Sequence, residues 1–178
     1  MSIWRLLTRV VVGGFLIGHG TQKLFGWFGG AGIEGTAKGF EKAGLRPGPR
    51  NAVAAGVAEA GGGALLATGL ATPLGASLVT GTMLTAIQHV HRGKGPWNQN
   101  GGYEYPVVLI ATAVGLAGTG PGRFSLDAAL GSKRRGAAWA AFAFGGGSLG
   151  AYLVDRLAER NRPEPVRLPV SEPERAAA

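Results

Sequence analysis

Five long apolar runs, separated by short segments that hold most of the charged residues, form the main pattern along this chain. The runs cover residues 4–25, 51–71, 73–91, 103–120 and 136–155. Each comes close to the roughly 20 apolar residues that an α-helix needs to cross the hydrocarbon core of a bilayer. The pattern therefore predicts an all-α membrane helical bundle with a multi-pass topology.

The segments between the runs predict where helices begin and end. Ala71-Thr72-Pro73-Leu74 predicts a short turn between the second and third runs, with proline in the first turn of the next helix. Gly118-Thr119-Gly120-Pro121-Gly122 predicts the end of the fourth run. Gly145-Gly146-Gly147 weakens a helix in the fifth run. Lys133-Arg134-Arg135 and Arg156 nevertheless flank that run as basic residues flank a span, which favours a fifth transmembrane helix.

The first run and the loop after it carry features of a helix that packs closely in lipid. Gly14 and Gly18 form a GxxxG spacing, which suits close helix contact. Arg9 and Lys23 flank the run, and their long side chains are expected to reach opposite interfaces. The first loop, residues 26–50, has room for an amphipathic segment at the interface. The apolar side chains expected on its lipid side are Ile33, Ala37, Phe40 and Leu45.

Composition supports a membrane location. The chain has 178 residues, of which 46% are hydrophobic, 16% are charged and 33 are glycine. Soluble domains have about 25% charged residues, and small residues let transmembrane helices approach closely. The formal charge of +8 lies mostly between the apolar runs rather than on a basic stripe interleaved with aromatics, so nucleic acid is not an expected partner. Because there is no cysteine, a disulfide, a thiol relay and a thiolate metal site are excluded.

Polar and ionisable side chains inside the runs are the candidates for function, since such groups are costly in lipid. His19, Gln22 and Lys23 share one face of a helical first run. In the third run, Gln88 and His89 share a face with Thr85 and Arg92, and Glu59 lies among the glycines of the second run. The candidate intramembrane polar pocket comprises His19, Gln22, Lys23, Glu59, Gln88, His89 and Glu104.

Two interpretations of this pocket stay open. In the first, it binds a small polar head group or passes protons, since neighbouring His and Glu side chains exchange a proton near neutral pH. In the second, its members only join helices through interhelical hydrogen bonds. Glu59 needs a partner, which His19, His89 or Lys23 can supply, although Lys23 is interpreted first as an interfacial anchor. His91 is interpreted as solvated at a helix end.

Other kinds of site are not predicted. HxxH and HExxH spacings are absent from the sequence, so no metal site is expected, and no catalytic residue can be assigned. The segment from Trp97 to Tyr105 combines aromatic and amide side chains. It fits the aromatic belt at a membrane interface, or alternatively a lid over the mouth of the pocket.

An ordered set of short motifs resembles the DoxX family of small bacterial membrane proteins. The motifs are His19-Gly20-Thr21-Gln22-Lys23-Leu24-Phe25-Gly26, Gly35-Thr36-Ala37 with Phe40, Glu59 followed by glycines, Gly69-Leu70-Ala71-Thr72-Pro73, and Asn100-Gly101-Gly102-Tyr103-Glu104-Tyr105. The resemblance covers about residues 4–120 and implies four transmembrane helices in a bacterial plasma membrane. It divides the chain into a DoxX-like membrane domain (1–120), a loop with a fifth helix (121–158) and a disordered charged tail (159–178).

The resemblance also implies a class of function. Some members resemble the membrane subunit of a thiosulfate:quinone oxidoreductase, and others are associated with redox-stress complexes. We therefore expect a membrane component of a quinone-linked or oxidative-stress system, as a subunit or accessory of an oxidoreductase rather than a stand-alone enzyme. No cofactor motif is evident, and a quinone is the candidate ligand. Expected partners are the lipid bilayer, an oxidoreductase protein and a second copy of the chain. The alternatives are a non-catalytic membrane scaffold and a small-solute or proton transporter.

Overall fold

The computed structural model describes residues 2–162, and these residues form seven α-helices and no strand. The helices are α1 (Ser2–Phe25), α2 (Gly32–Lys42), α3 (Gly48–Thr68), α4 (Thr72–Ala86), α5 (Glu104–Thr119), α6 (Leu126–Ala129) and α7 (Ala137–Arg160). A π-helical turn, Ile87–His91, continues α4, and short 3-10 turns lie at Trp27–Gly29 and Asn98–Asn100. The all-α prediction is confirmed, and each of the five apolar runs is helical.

The predicted boundary between α3 and α4 is confirmed, whereas the predicted end of the last helix is too early. The short turn between the second and third runs is confirmed, with Gly69 and Ala71 in left-handed conformations (φ 66° and 45°) between α3 and α4. The predicted disordered tail began at residue 159, but α7 continues to Arg160. Residues 163–178 of that predicted tail lie outside the described part of the chain.

Helix α4 lies at the centre of the bundle and packs against α3, α5 and α7. Helix α1 packs along α3, and α2 contacts both of these helices. The hydrophobic core between them contains Leu16, Leu66, Ala76, Val79, Met83, Leu109, Ala113, Leu116, Ala117 and Ala143. Many of these side chains are small, so the helices approach closely and the core depends on backbone proximity as well as on bulky side chains.

Glycines make the contact between α1 and α3, but they are not the predicted pair. A Cβ added to Gly20 would lie 2.6 Å from the carbonyl oxygen of Gly56, and one added to Gly13 would lie 2.5 Å from that of Gly63. Nothing lies within 4 Å of a Cβ added to Gly14 or Gly18. The prediction that Gly14 and Gly18 make a close helix contact was therefore wrong. The face of α1 that packs on α3 carries Gly13 and Gly20 instead.

The glycine triplet of α7 also lies at a helix contact, which explains why it does not break the helix. Gly147 packs against Thr80 of α4, where an added Cβ would lie 2.6 Å from the Thr80 Cβ. Gly146 lies against Ser77 in the same way, whereas Gly145 faces open space. Close packing against α4 offsets the low helix propensity of these residues.

Arg9 is buried at the end of the bundle where α3 meets α4, and protein covers the side chain that was predicted to extend outwards. Its side chain is 1% exposed. The guanidinium donates hydrogen bonds to the carbonyl oxygens of Pro121 and Phe124. The loop after α5 therefore folds back over Arg9, since a buried guanidinium needs acceptors.

Asp127 completes this end of the bundle. Its carboxylate, which is 0% exposed, accepts hydrogen bonds from the backbone N–H groups of Ala71 (3.1 Å) and Thr72 (3.3 Å) at the start of α4. It also forms an ion pair with Arg134 at 3.0 Å. A carboxylate at a helix N-terminus satisfies free N–H groups and interacts favourably with the helix dipole. These contacts connect the segment that leads to α7 with the hairpin between α3 and α4.

The first loop contains the predicted amphipathic segment as α2, but its apolar side faces the protein. Ala37 and Leu45 are buried, and Phe40 lines a cleft between the helices. Of the four predicted lipid-side groups, only Ile33 is exposed, at 38%. The prediction for the other three was wrong because α2 packs against α3 and so has a protein surface to cover it.

Among the described residues, α7 is the one helix that is both long and apolar enough to cross a membrane by itself. Helix α5 is apolar but shorter, at 16 residues. The third predicted span is divided into α4 and the π-helical turn. A multi-pass topology and the number of spans therefore stay predictions.

Candidate functional site

A cleft of about 470 Å³ lies between α1, α2, α3, α4, α5 and α7. Its walls are largely apolar and include Leu16, Leu45, Met83 and Leu109. Five titratable side chains line it: His19, Lys23, Glu59, His91 and Tyr105. Small-molecule sites usually have this size and this combination of apolar walls with a few polar groups. The cleft is therefore the strongest candidate for a binding site in the described chain.

An ion pair between Lys23 and Glu59 forms the polar centre of the cleft. Lys23 Nζ lies 2.5 Å from Glu59 Oε2, and the two side chains are 23% and 5% exposed. A carboxylate this deep needs a compensating charge, and Lys23 supplies it from the last turn of α1. Lys23 was interpreted first as an interfacial anchor, but the structure turns it towards α3, so it is one of the three partners that the sequence offered for Glu59.

His19 lies at the edge of the cleft and forms a local hydrogen-bond chain with Gln22. His19 Nδ1 lies 3.1 Å from Gln22 Oε1, and Gln22 Nε2 donates to the carbonyl oxygen of Phe28 at 3.4 Å. Because the amide nitrogen is used by that carbonyl, the amide oxygen faces His19 and Nδ1 is the donor. In the neutral ring, Nε2 then carries the lone pair.

The π-helical turn decides which histidine of the third run faces the cleft. Helix α4 lines the cleft at Thr85 and Ala86, and the next lining residues are Val90 and His91, five positions further on. An α-helix would have continued the face at His89, four positions after Thr85. The π-helical turn widens the spacing to five. His91 therefore enters the cleft, and His89 is turned away from it.

His91 is the functional candidate that the sequence analysis missed, since it was interpreted as solvated. Its Nδ1 lies 2.6 Å from the carbonyl oxygen of Gly101, so Nδ1 donates and Nε2 carries the lone pair of the neutral ring. Tyr105 was likewise not included in the predicted pocket. The position of Tyr105 at the start of α5, next to Glu104, could have indicated that it lines the cleft. Nothing in the sequence indicated the π-helical turn that brings His91 there.

His89 and Gln88 line a second, polar cavity of about 420 Å³ instead of the cleft. His89 Nδ1 lies 3.2 Å from the carbonyl oxygen of Ala43, and Nε2 lies 3.3 Å from Asp155 Oδ1 without forming a hydrogen bond. Glu104 lines neither cavity. Its Oε2 accepts a hydrogen bond from the backbone N–H of Asn98 at 3.0 Å and so holds the loop before α5.

The structure thus brings together three of the seven predicted pocket residues and separates the others. His19, Lys23 and Glu59 line one cleft, Gln88 and His89 line another cavity, and Gln22 and Glu104 make local hydrogen bonds. Within residues 2–162, no cluster of three or more His, Asp or Glu side chains is arranged to hold a metal ion. The side chains that line the cleft can supply hydrogen bonds, charge and proton exchange.

Comparison with known proteins gives one match. A family model described as DoxX matches residues 4–92, which is half of the chain. The matched part extends from α1 to the end of the π-helical turn and contains Lys23, Glu59 and His91. The predicted resemblance extended to residue 120, so its last motif, at residues 100–105, lies beyond the match. No curated protein and no solved structure matches the chain.

Proposed function

Because the chain belongs to the DoxX family of membrane proteins, we propose that it is a multi-pass membrane component of a redox system, and that its cleft binds a quinone. The observation that carries the proposal is the Lys23–Glu59 ion pair in a cleft with apolar walls. A quinone has an apolar ring and chain with two carbonyl oxygens. These parts correspond to the apolar walls and to the few polar groups of the cleft.

Four of the five titratable groups of the cleft have a role in this proposal. Lys23 and Tyr105 carry N–H and O–H donors for the quinone carbonyl oxygens. Lys23 is shared with Glu59, so a bound carbonyl oxygen would compete with the carboxylate for the ammonium protons. The ring and its isoprenoid chain would lie along Leu16 and Leu109, where burial of apolar surface favours binding.

Quinone reduction to quinol takes up two electrons and two protons. We propose that a partner oxidoreductase supplies the electrons, since the chain has no cysteine to act as a thiol donor. Glu59 and His91 are the groups proposed to exchange protons, because a carboxyl group and an imidazole line the same cleft. The chain would then act as the quinone-binding subunit or accessory of that enzyme.

The proposal is tested by titrating the detergent-purified protein with a short-chain ubiquinone analogue and with menadione. We expect saturable binding, and we expect Lys23→Met to weaken it by about tenfold, the value of one charge-assisted hydrogen bond. Glu59→Gln should leave binding equal or tighter, because the carboxylate no longer competes for the Lys23 ammonium protons. Glu104→Gln is the matched control, because this carboxylate lines neither cavity. Absence of saturable binding in the wild-type protein, or equal affinity in all three variants, would overturn the quinone proposal and favour a membrane scaffold.

A further inference from the structure

The cleft continues beyond its polar centre into a groove between α3 and α7, with α4 as the floor. We propose that this lateral groove opens to the hydrocarbon core of the bilayer and holds the part of the isoprenoid chain that extends beyond Leu16 and Leu109. The ligand is then a membrane-dissolved, long-chain quinone, an inference that rests on the proposed quinone binding. The residues that define the lateral groove are Ala54, Ala58, Leu78, Gly81, Thr85 and Gly150.

The helical period of α4 places the floor of the lateral groove on the outer side of the bundle. Leu78, Gly81 and Thr85 follow one another at steps of three and four residues, so they share one face of α4. Val79 and Met83, which belong to the hydrophobic core, lie on the far side of the same helix. The floor therefore faces away from the core, and a ligand part that lies on it reaches the outside of the bundle.

A passage between α3 and α4 connects the lateral groove with the inner part of the cleft. The two helices are in close contact at Gly62, where an added Cβ would lie 3.2 Å from the carbonyl oxygen of Gly75. One turn before Gly62, Ala58 lines the cleft instead, opposite the α4 residues Thr82 and Ala86. By the helical period, Thr82 and Ala86 lie between the outer face of α4 and its core face. One ligand can therefore occupy both parts of the cleft.

Both walls of the lateral groove reach the surface of the protein. Ala54 on α3 and Gly150 on α7 line the cleft, and both are exposed. Nothing lies within 4 Å of a Cβ added to Gly150, so the space beside it is open. Every residue that α4 and α7 contribute to the cleft is uncharged. The groove is therefore an uncharged opening in the side of the bundle, which suits a hydrocarbon chain.

The position of the opening along α7 is that of the bilayer interior. Among the described residues, α7 is the one helix that is long and apolar enough to cross a membrane. Gly150 lies thirteen residues after Ala137, which is about 20 Å along an α-helix, and the hydrocarbon core is about 30 Å thick. An isoprenoid chain has no polar group to satisfy at this level. An extended peptide would bring backbone N–H and C=O groups that need partners there.

The test fills the lateral groove from each wall and compares a quinone that has a chain with one that has none. Ubiquinone with four isoprenoid units, and the same ring without a chain, are titrated into the detergent-purified full-length protein. We expect Gly150→Phe and Ala54→Phe each to weaken binding of the long-chain quinone by about tenfold, and binding of the chain-free ring by less than about twofold. Gly145→Phe and Val57→Phe are the matched controls, because these exposed residues of the same helices do not line the cleft.

A photoreactive diazirine at the far end of the chain locates the chain in the wild-type protein. We expect cross-links to the tryptic peptide of residues 136–156, which contains the α7 wall, and we expect unlabelled long-chain ubiquinone to suppress them. Cross-links confined to α1 and α5 would overturn the inference, because the chain would then leave the cleft between those helices. This measurement needs no substitution, so it decides the inference even where a variant loses its fold.

The outcomes separate a failure of this inference from a failure of the quinone proposal. If the wild-type protein binds neither quinone saturably, both are overturned. If it binds both quinones and Gly150→Phe behaves like Gly145→Phe with each of them, the lateral groove does not hold the chain and this inference alone is overturned. A change of oligomeric state in Gly150→Phe but not in Gly145→Phe would also overturn it, by assigning the groove to a second copy of the chain. Light scattering after size exclusion measures that state.

Discussion

Lys23 on α1 and Glu59 on α3 each lie within one helical turn of a close glycine contact between these two helices. Gly20 precedes Lys23 by three residues, Gly56 precedes Glu59 by three, and a Cβ on Gly20 would lie 2.6 Å from the carbonyl oxygen of Gly56. Residues three apart lie on the same helix face. The glycine contact therefore brings the two backbones close enough for the ammonium to reach the carboxylate at 2.5 Å.

The ion pair should matter for stability mainly because a buried Glu59 carboxylate without a counter-charge is destabilising. Lys23→Met leaves an almost buried carboxylate without a counter-charge, and we expect it to destabilise the protein by about 3 kcal/mol. The double variant Lys23→Met/Glu59→Leu removes both charges and should recover most of this loss. Thermal unfolding in detergent measures both effects. A double variant that is as unstable as Lys23→Met would contradict this account.

The glycine contact gives a prediction with a control on the same helix. Gly20→Ala places a methyl group against the backbone of α3, and we expect a loss of about 1–3 kcal/mol from overpacking. Gly18→Ala enters open space and should be neutral or stabilising by up to about 1 kcal/mol, because alanine has the higher helix propensity. The midpoints of thermal unfolding in the same detergent compare the two. A lower unfolding midpoint for Gly18→Ala than for Gly20→Ala would show that Gly18, not Gly20, makes the contact with α3.

The packing of α7 on α4 can be tested by a disulfide, since the chain has no native cysteine. A Cβ built on Gly146 lies 3.7 Å from the Ser77 Cβ, which is within the usual range of about 3.5–4.5 Å for a disulfide. We expect Ser77→Cys/Gly146→Cys to cross-link on mild oxidation, as seen by a shift in non-reducing electrophoresis. Ser77→Cys/Gly145→Cys is the control, because nothing lies within 4 Å of a Cβ on Gly145. Equal cross-linking of both pairs would mean that α7 is not held in this orientation.

Arg9 should hold the loop after α5 in place. Arg9→Met removes the donor for the carbonyl oxygens of Pro121 and Phe124, and hydrogen bonds to a charged group are worth about 1.5–3 kcal/mol each. We expect faster tryptic cleavage after the exposed Arg123 in this variant. Arg5→Met, which removes a hydrogen bond to the carbonyl oxygen of Thr119 at the end of α5, should have a smaller effect on that cleavage. Equal cleavage rates in the two variants would contradict the role of Arg9.

The sequence predicted the helices well because long apolar runs and their turn residues act locally. Pro73 and the segment from Gly118 to Gly122 mark real helix ends, and the run around Glu59 is one continuous helix. The candidate site was predicted less completely. His19, Lys23 and Glu59 do meet in one cleft, and their spacing on two helices could be worked out from the α-helical period. The sequence analysis placed His89 in the cleft, but the structure places His91 there. The π-helical turn causes this difference, and the residue types do not predict such a turn.

By itself, the sequence determined the family, the all-α class, the position of the apolar helices and the cost of burying Glu59. Only the tertiary structure decided that Lys23 is the partner of Glu59, that Gly20 rather than Gly18 makes the close contact, and that Arg9 is enclosed by a loop. The physical reason is that helix formation depends on neighbours within one or two turns. Pairing between helices depends on their rotation and separation, and a shift of one residue changes which side chain faces the partner.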